Sequence, residues 1–370
     1  MRPLYVAATG QHVGKTTSTL GLVNIVKDLG YSVGYCKPVG QEHLDIGGQL
    51  IDKDVTLFAQ TLGFAIEGTL HSPVVIAKGV TKKFIDNPEE FHFREAIQKS
   101  AAILQSRHDI VIYEGTGHPG VGAVADVSNA EVAKMLNAAV LMIAEGGIGS
   151  TIDELALSIS QFQLYKVPIL GIIVNKVLPE KSEQVAHYVG KKLSRMNLDL
   201  LGVLPFDKRM SFPLMETVKR AVNGNCIIND DKLDNRIEDI VAGSLVDIQE
   251  FSSFKNILLV VSAKRLEDAI SKVKSVAELK KLSRSPLSGI ILTGDGSHTH
   301  LADQSLRNEY ILQHNIPVVT TALDTYGSVI KISRIEVKIN TRTPWKTQRA
   351  IELINENVKV GAILQKLELL

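Results

Sequence analysis

Residues Leu4 to Thr17 read L-Y-V-A-A-T-G-Q-H-V-G-K-T-T, an apolar run, a turn containing glycine, and then Gly14-Lys15-Thr16 at the start of a helical period. A polyphosphate carries several negative charges. The free N–H groups and partial positive charge at a helix N-terminus hold such charges without filling the pocket with bulky cations. The stretch Thr9-Gly10-Gln11-His12-Val13-Gly14-Lys15-Thr16-Thr17 is therefore a candidate phosphate-binding loop. Gly10 and Gly14 let the backbone turn and approach, Lys15 supplies a point charge, and the Thr16 hydroxyl can face Mg²⁺. The pattern G-x-x-x-x-G-K-[ST] is not fully kept, because position 9 is threonine and the glycine lies one place later.

Other candidates follow apolar runs. Cys36-Lys37-Pro38-Val39 places Lys37 at the carboxyl end of a strand, where it neutralises phosphoryl charge or simply ends the strand in solvent. Ile112-Tyr113-Glu114-Gly115-Thr116-Gly117 puts a carboxylate before glycines that leave room for substrate, so Glu114 is a candidate Mg²⁺ holder. Asp52 and Asp54 open a helical period; they either favour the helix dipole or, for Asp54, complete a metal shell with Thr16 and Glu114. Asn175 can hydrogen-bond a purine edge. Leu178 stands where the Asn-Lys motif of GTP-binding proteins has its aspartate, which favours adenine. Pro205, in Gly202-Val203-Leu204-Pro205-Phe206, belongs to a loop expected to close over the base. Glu145-Gly146-Gly147-Ile148-Gly149-Ser150 is either a second anion loop or an ordinary turn.

These residues need elements to position them. Apolar runs predict strands over 4–8, 32–36, 110–113, 140–144, 169–174 and 201–204, with a helix over 15–29 whose face is Leu22, Ile25, Val26 and Leu29. Alternation of this kind predicts an α/β fold, a parallel sheet wrapped by helices, with its site beyond the carboxyl ends of the strands. A polar stretch near Phe206 to Asp231 separates a smaller α/β domain, with strands over 257–261, 289–293 and 318–320 and helices over 266–276, 302–314 and 347–356. The expected domains are 1–212 and 213–370.

The 370 residues are 45% hydrophobic and 22% charged, with a net charge of +1, which suits a globular protein and argues against nucleic acid as a partner. Two distant cysteines, Cys36 and Cys226, make no disulfide framework. No secretory leader is read at the N-terminus and no apolar run reaches the roughly 18 residues of a membrane span. A cytoplasmic protein away from the membrane is expected.

The motifs T-G-Q-H-V-G-K-T, K-P-V, E-G-T-G, V-N-K and G-V-L-P together resemble the dethiobiotin synthetase group over about the first 210 residues. Beyond them, the stretch 227–246 and L-T-G-D-G, I-P-V-V-T-T, D-T-Y and I-S-R-I resemble the small domain, named for a D-R-T-G-G motif, in the N-terminal portion of long bacterial phosphate acetyltransferases. Ser262-Ala263-Lys264-Arg265 stands where that domain has G-D-R, and V-G-Q follows Pro38 where the synthetases carry a serine-bearing loop. The resemblance implies a P-loop NTPase fold, ATP and Mg²⁺ as cofactors, Thr16, Asp54 and Glu114 as metal holders, and Lys15, Lys37 and Glu114 as catalytic residues. The expected function is an ATP-binding protein with slow or activated hydrolysis and a C-terminal domain that senses a small metabolite or a partner enzyme. The alternatives are an ATP-dependent carboxylating or ligating synthetase and a non-enzymatic nucleotide-binding regulator, either of them a plausible homodimer. Because the chain ends before an acetyltransferase catalytic domain, acetyl transfer to phosphate is not expected.

Overall fold

A computed structural model describes residues 2–243, 254–294 and 308–368. The chain divides into two compact units, Met1–Asp207 with Ile339–Leu370, and Lys208–Lys338.

The first unit contains β1 (Leu4–Ala8), β2 (Val33–Cys36), β3 (Val39–Gly40), β4 (His43–Ile46), β5 (Gln49–Asp52), β6 (Val74–Val75), β7 (Ile110–Glu114), β8 (Ala139–Glu145), β9 (Ile169–Val177) and β10 (Leu200–Pro205). Six of them form one sheet in the order β10-β9-β8-β1-β7-β2, with every pairing parallel. Every residue of β1, β2 and β7 is buried. Successive side chains point to opposite faces, so burial of all of them requires helices on both sides, and this is why these strands are continuous apolar runs. Helix α1 (Lys15–Asp28) follows β1, and α2 (Lys53–Leu62) follows the β4–β5 hairpin. Leu22 and Val26 of α1 are buried as expected. Leu29, expected on the same face, is the C-cap residue and 52% exposed, because the helix stops before it can turn that side chain inward.

Residues 339–368 complete this unit. The helix Pro344–Asn357 packs on α1 and buries Ala350, Leu353 and Ile354. Arg349 Nε donates to Asp207 Oδ2 at 2.6 Å, Val358 bridges to Gly202, and Lys366 Nζ reaches the Leu170 carbonyl at 2.6 Å. The division therefore differs from domains 1–212 and 213–370: the C-terminal helices pack on the first sheet, although they follow the second unit in the chain.

The second unit contains β11 (Asn225–Ile228), β12 (Asp239–Ala242), β13 (Ile257–Ser262), β14 (Leu287–Thr293) and β15 (Val318–Thr321). Their order is β11-β15-β14-β13-β12, with β11 antiparallel to β15 and the other pairs parallel. The expected helix at 266–276 is Leu266–Leu279. That at 302–314 appears as Glu309–Gln313, and 302–307 lie outside the described residues. Residues 244–246 of the stretch 227–246, and 295–296 of L-T-G-D-G, also lie outside them. Among the described residues no helix is long and apolar enough to cross a membrane.

Candidate active site

The carboxyl ends of β1, β2 and β7 bring the sequence candidates together. Gly14 is the N-cap of α1 with φ 107°, a left-handed conformation, and no side chain caps the helix. A Cβ at Gly14 would lie 2.0 Å from Asn175 Nδ2, so both backbone conformation and space demand glycine there. The first turn of α1 holds no acidic residue of its own, and the carboxylate that reaches it is Glu114, through the Thr16 hydroxyl. His12 also adopts a positive φ of 57°, uncommon for a residue with a side chain. Lys15, 8% exposed, donates to the carbonyls of Gly10 at 2.7 Å and Gly117 at 3.0 Å. A phosphate oxygen would compete with those carbonyls for the ammonium.

Beside this loop, Thr16 Oγ1 donates to Glu114 Oε1 at 2.8 Å. Lys37 Nζ donates to the same Glu114 oxygen at 3.0 Å and to Asp54 Oδ2 at 2.5 Å. Glu114 is fully buried at the end of β7 and Lys37 is 5% exposed just past β2. Burial disfavours the Lys37 ammonium, yet Asp54, Glu114 and Asp52 together outweigh it, and its pKa lies well above the ordinary lysine value. Burial raises the Glu114 pKa, Lys37 offsets part of that rise, and Asp54 adds to it. The second sequence reading of Lys37, a solvated strand end, is thereby excluded. Three carboxylates around one ammonium leave an excess of negative charge, and Thr16, Asp54 and Glu114 offer only oxygen donors. That set fits Mg²⁺, which takes one or two carboxylates and completes its shell with water and phosphate. Among the described residues no group of three or more His, Cys, Asp or Glu side chains is arranged to hold a metal unaided.

Asp52, read from sequence mainly as a dipole residue, has a more specific role. Its Oδ1 accepts the Asp54 N–H at 3.0 Å as the N-cap of α2, and its Oδ2 accepts the Gln41 N–H at 3.2 Å. One side chain thus ties the Asp54 helix to the segment after Lys37. Burial lifts its pKa to about 6, with Lys37 opposing the rise and Asp54 adding to it.

Asn175 lies within β9 and donates its amide to the Val13 carbonyl at 2.8 Å, bracing the phosphate loop from the neighbouring strand. Pro205 remains in the sheet, in register with Val177, and Phe206 N–H donates to the Val177 carbonyl at 2.7 Å. The loop after β8 is occupied by local bonds: Thr151 Oγ1 donates to the Glu145 carbonyl at 2.7 Å, and Glu145 pairs with Lys176 at 3.2 Å. Thr9 donates to Glu154 at 3.2 Å. Cys36 is buried with its thiol pushed up to about 12, which agrees with a core residue rather than a nucleophile.

A glycine-bearing loop between β1 and α1, a buried lysine on that loop and a carboxylate at the end of the adjacent parallel strand define a P-loop NTPase-like α/β domain. The chain belongs to the AAA domain family, whose model matches residues 2–213. It is 20% identical to a phosphate acetyltransferase of Nitrosomonas europaea over 99% of this chain and 52% of that protein. It is 25% identical to an ATP-dependent dethiobiotin synthetase of Clostridium kluyveri over 47% of this chain and 73% of that one. The MinC:MinD cell division protein complex of Aquifex aeolicus aligns with a TM-score of 0.38 and 14% identity, covering 57% of this chain and 84% of that chain. The chain spans about half the length of the phosphate acetyltransferases it matches. The exclusion of a phosphate acetyltransferase is overturned by that alignment, which runs through both units; the position at which the chain stops does not bear on it.

Proposed function

We propose that the first unit binds ATP with Mg²⁺ and hydrolyses it slowly, and that the second unit, of the D-R-T-G-G type, senses a small metabolite or a partner. The observation that carries this reading is the Thr16–Glu114–Lys37–Asp54 cluster set against the open N-terminus of α1. In it, Lys15 and the amides of the loop hold the β- and γ-phosphates, and Thr16, Asp54 and Glu114 hold the metal. Bound Mg²⁺ would neutralise charge on the phosphate oxygens. Lys37, kept protonated by its carboxylates, stabilises charge that develops on the transferred phosphoryl group. Asn175 and the region of Pro205 lie on the strands beside the loop, where a base would be read. Two free cysteines support a reducing, cytoplasmic setting. Phosphate release measured with ATP and with GTP, each with and without Mg²⁺, tests the reading. Metal-dependent release favouring ATP is expected; no release and no competition between the two nucleotides would contradict it.

A second reading has its own support. Alignment with a phosphate acetyltransferase over 99% of the chain favours a role for both units within an enzyme of that kind, with nucleotide as a regulator of acetyl transfer. Acetyl-phosphate formation by the whole chain, assayed with and without ATP, checks it.

A further inference from the structure

We propose that Asn129 is the positioning residue for the metal-dependent part of nucleotide binding, an inference that rests on the nucleotide reading above. Asn129 opens the helix Asn129–Met135 and is 2% exposed. Its Oδ1 accepts the Tyr5 hydroxyl at 2.8 Å and the Thr116 N–H at 3.1 Å. Its Nδ2 donates to the carbonyls of Thr116 and His118, both at 2.7 Å. A side-chain amide has two donors and two acceptor sites, and here all four are used. The orientation of the amide follows from its partners, since an N–H needs an acceptor and two carbonyls need donors.

The clamped segment carries the site. It begins at Glu114, which receives Thr16 and Lys37. Thr116 Oγ1 donates to the carbonyl of Val39, two residues past Lys37, at 2.5 Å. The Gly117 carbonyl, between the two carbonyls that Asn129 holds, receives Lys15. Gly115 is explained by the same amide: a Cβ there would lie 2.7 Å from Asn129 Oδ1 and 3.0 Å from Tyr5 Cε1. The glycine of E-G-T-G is therefore needed to admit Asn129. A capping box fixes the helix end from which Asn129 reaches, with Ser128 Oγ accepting the Glu131 N–H at 3.2 Å and Glu131 Oε2 accepting the Ser128 N–H at 3.0 Å. A side chain anchored in this way acts on a metal through its ligands, by orienting them.

The test is calorimetric titration of the full chain with ATP, in Mg²⁺ and in EDTA, for the wild type, Asn129→Ala and Tyr5→Phe, with thermal unfolding of each. In Asn129→Ala the affinity in Mg²⁺ falls about tenfold or more, the scale seen when a partner that orients a metal ligand is lost. In EDTA it stays within about threefold, because Lys15 keeps its bond to the Gly10 carbonyl and Asn129 touches none of the loop amides. Tyr5→Phe, which keeps three of the four bonds of the amide, loses about threefold in Mg²⁺ alone. A general loss of structure would weaken both conditions equally, and that result would overturn the proposal, as would an unchanged Mg²⁺ dependence. Should Asn129→Ala not fold, Tyr5→Phe decides in the same two conditions. Absence of ATP binding by the wild type would instead refute the nucleotide reading, which separates the two failures.

Discussion

The two units share a plan of a sheet with helices, all parallel in the first and with one antiparallel edge strand in the second, yet they treat charge at the strand ends in opposite ways. In the first, Lys15, Lys37, Asp52 and Glu114 are all buried around the carboxyl ends of β1, β2 and β7. In the second, the buried polar residues among those described are Ser288, Thr293, Asn308, Thr321 and Ser328, none of them charged. The Thr293 hydroxyl there pairs with the Thr325 hydroxyl at 3.0 Å, and the Gly294 N–H goes to the Thr321 carbonyl at 3.1 Å. Lys264, just past β13, is exposed, whereas Lys37, just past β2, is buried between two carboxylates. Burying a charge is costly unless it is paired, so a fold retains such a cluster only where it is satisfied or used. Architecture is thus shared, and chemistry lies in the side chains placed on it.

Breaking the contrast from the first unit should have the largest effect. Lys37→Met leaves Asp54 and Glu114 without their cation and costs about 3 kcal/mol of stability, since removing one member of a buried pair strands the other. Urea unfolding will show the loss, and Mg²⁺ should restore part of it by replacing the missing positive charge. Next, Lys15→Ala should weaken ATP binding about a hundredfold, in line with charge-assisted hydrogen bonds to phosphate.

A pH effect of intermediate size should come from Asp52. Its pKa rises from 3.8 to about 6 on folding, so between these values the folded state binds more protons than the unfolded one. Its contribution to stability is therefore full below about pH 4 and is lost as pH rises through about 6, with a slope of at most about 1.4 kcal/mol per pH unit. Asp52→Asn, which can still cap α2, should flatten that part of the stability profile in denaturant titrations. Smallest of all, Lys264→Ala in the second unit should leave ATP affinity unchanged in the same titration; a weakened affinity would erase the contrast between the two strand ends.

Much of this arrangement was legible because it is local. Buried parallel strands read as unbroken apolar runs, and Gly14-Lys15-Thr16 carries its own turn and helix start. Lys37 and Glu114 are legible as residues at the carboxyl ends of strands, whereas Asp54 opens a helix and its place beside Thr16 and Glu114 comes from the resemblance to the dethiobiotin synthetase group; its ion pair with Lys37 has no sequence signal. The hairpin β4–β5 was not read, although His43-Leu44-Asp45-Ile46 alternates up to the Gly47-Gly48 turn and the pattern is that of a hairpin. Asn129 escaped because its partners lie up to 124 positions away, and no spacing rule reports such a bond. The return of Pro344–Asn357 to α1 was hidden for the same reason: an amphipathic helix shows that it has an apolar face, not which sheet or helix receives it. Asn175 lies on the expected strand, whereas Pro205, expected in a loop over the base, stays in β10 in register with Val177; the bond from Asn175 to the Val13 carbonyl gives that amide a bracing role that chain position does not reveal.

The central claim, that the buried cluster of the first unit takes Mg²⁺ together with a nucleoside triphosphate, is tested most directly by calorimetric titration of the chain with ATP in Mg²⁺ and in EDTA, with Lys15→Ala alongside. One site per chain, strengthened by Mg²⁺ and weakened about a hundredfold in Lys15→Ala, is the predicted result. Equal affinity in the wild type and Lys15→Ala, or no binding in either condition, would contradict it.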